Sequence, residues 1–176
     1  MAETTNDVIT RYLQDAIAAE KSFETQLQGF AKEGDDTVVQ SLFNQHAVET
    51  KRQYERLTAR LESLGGSTSG AKSLLAHIFG LSPKTAQIGH EKEERTTQNL
   101  MMAYAVENSE MAMYEALATV ANAAGDAQTA ALAREIQKEE QATAEKIWRY
   151  LPTAAVTALQ RVAGATGTSR TQSATV

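Results

Sequence analysis

Five glutamates and one histidine in this sequence occupy positions where a helix ordinarily carries an apolar side chain. Glu20 follows Leu13 by seven residues and precedes Leu27 by seven, so it points where those leucines point. Glu49 stands seven after Leu42, with His46 one turn before it. Glu107 and Glu110 fill the gap in the series Leu100, Ala103, Tyr114, Leu117, Ala121, and Glu139 lies three after Ile136 and seven after Leu132. A single buried carboxylate costs several kcal/mol even after relaxation. Five that converge also repel one another, so either some take up protons or a cation neutralises them. No Lys or Arg occupies the same seam positions, which leaves bound metal as the chemistry implied. Hard oxygen donors with at most one imidazole suit iron or manganese better than zinc. Two ions, bridged by carboxylates, distribute five acids between two divalent charges.

Other readings of single residues stand beside this one. A rotated helix would put any one glutamate at a solvated rim, but acids on all four seams at matched heights argue against that as a common explanation. Glu140 replaces Glu139 as a ligand if the fourth helix is turned slightly; otherwise Glu135, Glu140 and Glu145 are expected to face solvent. His46 also reads as a core histidine. His77 and His90 lie outside the seams and read as surface residues, and Tyr12, Tyr104 and Tyr114 as packed phenols with hydrogen-bonded hydroxyls.

The elements that position these residues are marked off by Gly34-Asp35-Asp36, Gly65-Gly66 through Gly70, Gly80 to Pro83, Gly125-Asp126 and Pro152. Between them, stretches of about 4–33, 36–64, 83–124 and 126–151 show apolar residues at helical spacing and no sustained alternation. Short connections make hairpins of the first and second, and of the third and fourth. The long 65–83 connection predicts a crossover along the bundle, with a short helix over 71–79. The expected fold is all-α, an antiparallel four-helix bundle over 1–151. A short helix over 154–163 and a mobile Gly/Thr/Ser-rich tail are expected to make up 152–176.

Composition removes several function classes. The 176 residues include no Cys, which excludes disulfides, thiolate metal sites and thiol nucleophiles. A formal charge of −5 with scattered basic residues gives no footprint for nucleic acid. No apolar stretch is long enough to span a membrane, and Met1 to Arg11 lack the pattern of a signal peptide. A cytoplasmic protein is expected.

The two hairpins also read as copies. One constant offset carries Glu20 onto Glu110, Leu27 onto Leu117, Asp36 onto Asp126, Leu42 onto Leu132 and Glu49 onto Glu139. With Asp15-Ala-Ile-Ala-Ala-Glu20-Lys21, His46-Ala-Val-Glu49-Thr50 and Lys138-Glu139-Glu140-Gln141, the pattern resembles the ferritin-like di-iron carboxylate proteins. More narrowly it resembles their YciE/YciF-type stress-protein family, over about 4–150. The resemblance implies a ferritin-like bundle whose metal ligands fall on Glu20, His46, Glu49, Glu110 and Glu139. Glu107-x-x-Glu110 resembles the extra carboxylate of rubrerythrins. It further implies two iron ions, Fe(II) oxidation by O₂ or peroxide in stress protection, and a ferroxidase- or peroxidase-like activity. The rival reading is a non-catalytic metal-binding or helical interaction protein; mineral storage ranks lower because it needs a hollow cage. A homodimer, built on exposed helical surface such as Leu74, Leu75, Ile78, Phe79 and Leu81, fits either view. One departure is plain: most ferritin-like proteins place His three residues after the glutamates of the second and fourth helices, whereas this chain has Arg52 three after Glu49 and Ala142 three after Glu139.

Overall fold

Thr4 starts the first helix by accepting the Asp7 N–H, while the Asp7 carboxylate takes the Thr4 N–H in return. In the computed structural model, which describes residues 3–68 and 89–172, that helix is α1, Thr5–Glu33. Asp36 begins α2, Thr37–Ser63, by accepting the N–H groups of Val38 and Val39 at 2.9 and 3.1 Å. α3 spans Arg95–Ala123, preceded by a 3-10 turn at Lys92–Glu94. Asp126 begins α4, Ala127–Gln172, by accepting the Thr129 N–H at 3.0 Å. The two aspartate caps are the pair related by the internal repeat.

The ends of α2 and α3 are also built alike. Gly65 and Gly125 take φ of +78° and +79°, the left-handed conformation that lets a following N–H reach back to the helix. Gly66 N–H thus donates to Leu61 C=O at 3.0 Å, and Asp126 N–H to Ala121 C=O at 2.8 Å.

These four helices, with no strand among the described residues, form an antiparallel bundle of two hairpins. The hairpins meet mainly along α1 and α3, and the α2–α4 seam is the looser one. Two apolar clusters fill the interior. Phe23, Leu27, Phe30, Phe43, Leu100 and Ile147 are among the residues of one; Leu13, Ile17, Leu57, Leu61, Leu117 and Ile136 are among those of the other. On α1, α2 and α3 the switch from one cluster to the other occurs near mid-length and on α4 between Ile136 and Ile147, in its first half, and polar residues occupy the switch. No helix is long and apolar enough to cross a membrane among the described residues.

Two expected boundaries are corrected. α3 begins at Arg95 rather than near 83, because Gly89 takes φ +85° and Glu91 and Glu94 close a capping box around the 3-10 turn. α4 does not end at Pro152, and 154–163 is not a separate short helix. Pro152 and Trp148 both lie on the exposed face, so the carbonyl that Pro cannot serve is on the solvent side. Beyond it, buried Ala154 and Ala158 and an Arg161–Asp35 ion pair of 2.6 Å tie the helix to the α1–α2 end. The expected crossover helix over 71–79, His77 and the apolar surface from Leu74 to Leu81 lie outside the described residues.

Arg60 locks the far end of the bundle. Its Nη2 donates to both Asp126 oxygens at 2.7 and 2.8 Å and its Nε to Thr129 Oγ1 at 2.7 Å. Partial burial of Asp126 is outweighed by these donors, which hold its carboxyl below the usual range. Asp126→Ala removes a helix cap and strands a half-buried guanidinium, and is expected to cost on the order of 3 kcal/mol, read as a lower urea midpoint. Asp126→Asn should retain the cap, about 1 kcal/mol of that loss.

Candidate metal centre

The polar layer between the two apolar clusters draws on all four helices. α1 supplies Glu20, α2 His46, α3 Glu107 and Glu110, and α4 Glu140; none is more than 2% exposed. His46, Glu107 and Glu140 each place a ligand atom within 4.8 Å of the others. His46 Nε2 lies 2.5 Å from Glu107 Oε1, and Phe23 packs edge-on against the imidazole at 5.4 Å. Tyr114, fully buried, donates its hydroxyl hydrogen bond to Glu20 Oε1.

Of the residues singled out in the sequence, Glu20, His46, Glu107 and Glu110 are in this layer, and Glu49 and Glu139 are at its edge. The Glu49 side chain is 45% exposed, with Oε2 3.7 Å from His46 Nδ1. Glu139 lies across the α2–α4 seam, held by Arg56 Nη1 at 2.8 and 3.0 Å and by Gln53 Nε2 at 3.1 Å. Glu140, expected in solvent unless the helix turned, is buried at 1% exposure. The reason is helical phase. The inward ladder of α4 runs Ala133, Ile136, Glu140, Thr143, Ile147, and Leu132 sits at its rim. On α2 the ladder is Val39, Phe43, His46, Thr50, Gln53, Leu57, with Leu42 at the rim. His90 is a surface residue 3.1 Å from Glu94.

Electrostatics follow from this burial. Burial pushes Glu20 up to about 8; repulsion from Glu107 and Glu139 adds to it, and the Tyr114 hydrogen bond and His46 oppose it. Burial, with repulsion from Glu20, Glu110 and Glu107 and a hydrogen bond that its protonated form makes to Glu107, also lifts Glu140 well above the carboxylate range; Glu110 is lifted by burial, Glu20 and Glu107. For His46, burial alone would lower the pKa, but Glu107 and Glu49 outweigh it and raise the imidazole to about 9. Burial and the surrounding acids raise the Tyr114 phenol, so it remains a donor. With the carboxyls ionised, Glu107 Oε2 and both oxygens of Glu110 and of Glu140 have no hydrogen-bond donor among the described residues. Five orphaned carboxylate oxygens beside one imidazole are a donor set that fits hard divalent cations.

Residues 4–160 match the family described as Domain of unknown function (DUF892). The chain belongs to this family. Protein YciF of Escherichia coli strain K12 is 28% identical over 148 residues, 82% of this chain and 89% of that protein. The crystal structure of the E. coli stress protein YciF superposes with a TM-score of 0.76 at 28% identity, covering 88% of this chain and 98% of that one. A protein from Xanthomonas campestris pv. campestris gives a TM-score of 0.75 at 27% identity, over 90% of this chain and 98% of that chain. Dps from Staphylococcus aureus, at 19% identity and a TM-score of 0.67 over 85% of this chain and 98% of its own, shares the fold. The bundle of this DUF892 member is therefore ferritin-like.

Linkage gives a definite sign to the pH dependence of the metal-free protein. Glu20, Glu110 and Glu140 have folded pKa values above their unfolded ones, so their stabilising contribution is complete below about pH 4.5 and declines as pH rises, for Glu20 through about 8. The contribution of His46 is complete below 6.5 and declines as pH rises through about 9. The melting temperature of chelator-treated protein is expected to fall steadily from pH 5 to pH 9. Glu110→Met, an apolar replacement of similar size, should raise metal-free stability at pH 8 by about 2 kcal/mol, measured by urea titration, while reducing metal uptake.

Proposed function

We propose that this chain holds a dinuclear iron centre on Glu20, His46, Glu107, Glu110 and Glu140. Fe(II) bound there is oxidised by O₂ or a peroxide, in a protective role. The observation that carries the reading is the set of donor-free carboxylate oxygens sealed between two apolar clusters. Protons are the other means of neutralising these acids, and they leave the raised pKa values of Glu20 and its neighbours as a standing cost that a divalent ion relieves. The description of the similar E. coli protein as a stress protein supports the protective role.

Iron, when bound, supplies one-electron exchange between Fe(II) and Fe(III); manganese fits the same donors. The chain's own residues do the rest. His46, Glu107 and Glu140 form the tightest donor group. Tyr114 fixes the orientation of Glu20 through its hydroxyl. The carboxyl protons of Glu20, Glu110 and Glu140 are released as cations arrive, and the flanking Phe23 and Leu13 clusters keep bulk water out. Among the described residues the layer contains a single imidazole, which is the specific ground for the second reading, a non-catalytic metal-binding protein.

Anaerobic Fe(II) titration separates the readings. Uptake of about two Fe(II) per chain, with proton release, is expected. With excess Fe(II) supplied as the electron donor, added peroxide should then be consumed beyond the single equivalent that oxidation of two bound Fe(II) accounts for. Oxidation that stops at stoichiometry favours the non-catalytic reading, and Glu107→Gln with Glu140→Gln should abolish uptake.

A further inference from the structure

The sealed layer needs a route to solvent, and the bundle has one loose seam at the right height. α2 and α4 make the sparsest contact of the antiparallel neighbours, and a cleft of about 400 Å³ opens between them. Glu49, Glu139, Arg52, Arg56, Thr143 and Lys146 line it. Arg52 occupies one of the positions at which the ferritin-like pattern would place an imidazole, so this cleft is where the chain departs from that pattern.

The two acids of the cleft are held differently. Glu139 is clamped by Arg56 and Gln53, and Arg56 also reaches Glu135 at 3.0 Å. No guanidinium clamps Glu49 among the described residues. Its outer part faces solvent, and its inner end lies 3.7 Å from His46 Nδ1, beyond hydrogen-bond reach. That nitrogen is buried and has no hydrogen-bond partner among the described residues. The opposite nitrogen, Nε2, faces Glu107. The imidazole therefore presents one nitrogen to the sealed acids and the other to the carboxylate at the floor of the cleft.

We propose that the α2–α4 cleft is the port through which a divalent cation reaches the buried layer, and that Glu49 with His46 Nδ1 forms a transfer site at its inner end. The inference rests on the metal-binding reading above and adds to it a route and a transient outer station that is empty once the layer is filled. The spacing suits the role. Carboxylate oxygen and imidazole nitrogen each lie roughly 2.0–2.2 Å from a bound transition-metal ion, so two donors 3.7 Å apart can hold one ion between them. Glu49 is then free to swing back to solvent once the ion moves to Glu107 and Glu140. The cleft walls are of mixed sign: Arg56 is neutralised by Glu139 and Glu135, and Lys146 attracts Glu49, while Arg52 and Lys146 add positive charge to the path. Loading is accordingly slowed by these two side chains.

Stopped-flow absorption of Co(II) mixed with the full chain tests this, with the final Co(II) content measured separately. Glu49→Gln is expected to slow loading about tenfold and to leave the final Co(II) per chain unchanged. Lys146→Ala, which removes a repelling charge, should quicken loading by about tenfold with the same final content. Loading of Glu49→Gln at the wild-type rate overturns the port, as does a lower Co(II) content without slower loading, which would make Glu49 a resident ligand. Failure of the wild-type chain to take up Co(II) overturns the metal-binding reading and this inference together.

Discussion

Acids without donors, held inside a bundle, are the constraint around which this structure is arranged. Each helix must remain amphipathic to fold against the others, yet each yields an inward position part-way along to a group that water solvates far better than protein does. The apolar clusters on either side make that tolerable. They supply the burial that holds four helices together, and they fix the acids at a common height. Phe23 against His46, and Tyr114 on Glu20, extend this control from backbone placement to the orientation of single side chains.

Much of this is legible in the sequence. Hairpin pairing, the breaks between the helices, and the inward direction of Glu20, Glu107, Glu110 and His46 follow from the sequence, because glycines mark the turns and leucines and aromatics mark those seams. The distinction between Glu139 and Glu140 does not. Leu132 is the conspicuous apolar residue of that stretch, yet it lies at the rim, and Ala130 and Ala133 carry the true inward phase. Alanine packs closely but is a weak marker of direction, since it is tolerated on either face of a helix. The same displacement affects α2, where Leu42 is a rim residue and Val39 and Phe43 point inward. One helical step, about 100° of rotation, separates a seam acid from a cleft acid. The course of α4 through Pro152 was hidden for a different reason. The contacts of Ala154, Ala158 and Arg161 with distant residues are tertiary, and they override a local signal.

The internal repeat sharpens the point. Glu20 and Glu110 are repeat partners, and both are sealed in the layer. The partners of the other inward residues differ: Ile17 corresponds to Glu107, Thr50 to Glu140, and Ile136 to His46. The two hairpins therefore contribute unequally. The second brings three acids, whereas the first brings one acid and the imidazole. The Glu49 and Glu139 pair keeps the symmetry, but outside the layer, where one is clamped by Arg56 and the other is not.

Dividing the greasy interior into two parts also shapes how the bundle comes apart. Phe23, Phe43 and Ile147 cohere at one end and Leu13, Leu57 and Ile136 at the other, while the acids between them repel when bare. Amide exchange in the bare protein should thus proceed through two separable openings, one for each half, because only the His46–Glu107 and Tyr114–Glu20 contacts among the described residues reward their closing together. An ion gripped by all four helices would fuse these halves into a single cooperative unit. The centre of the molecule, costly on its own, would then be what lets distant ends of the chain sense each other.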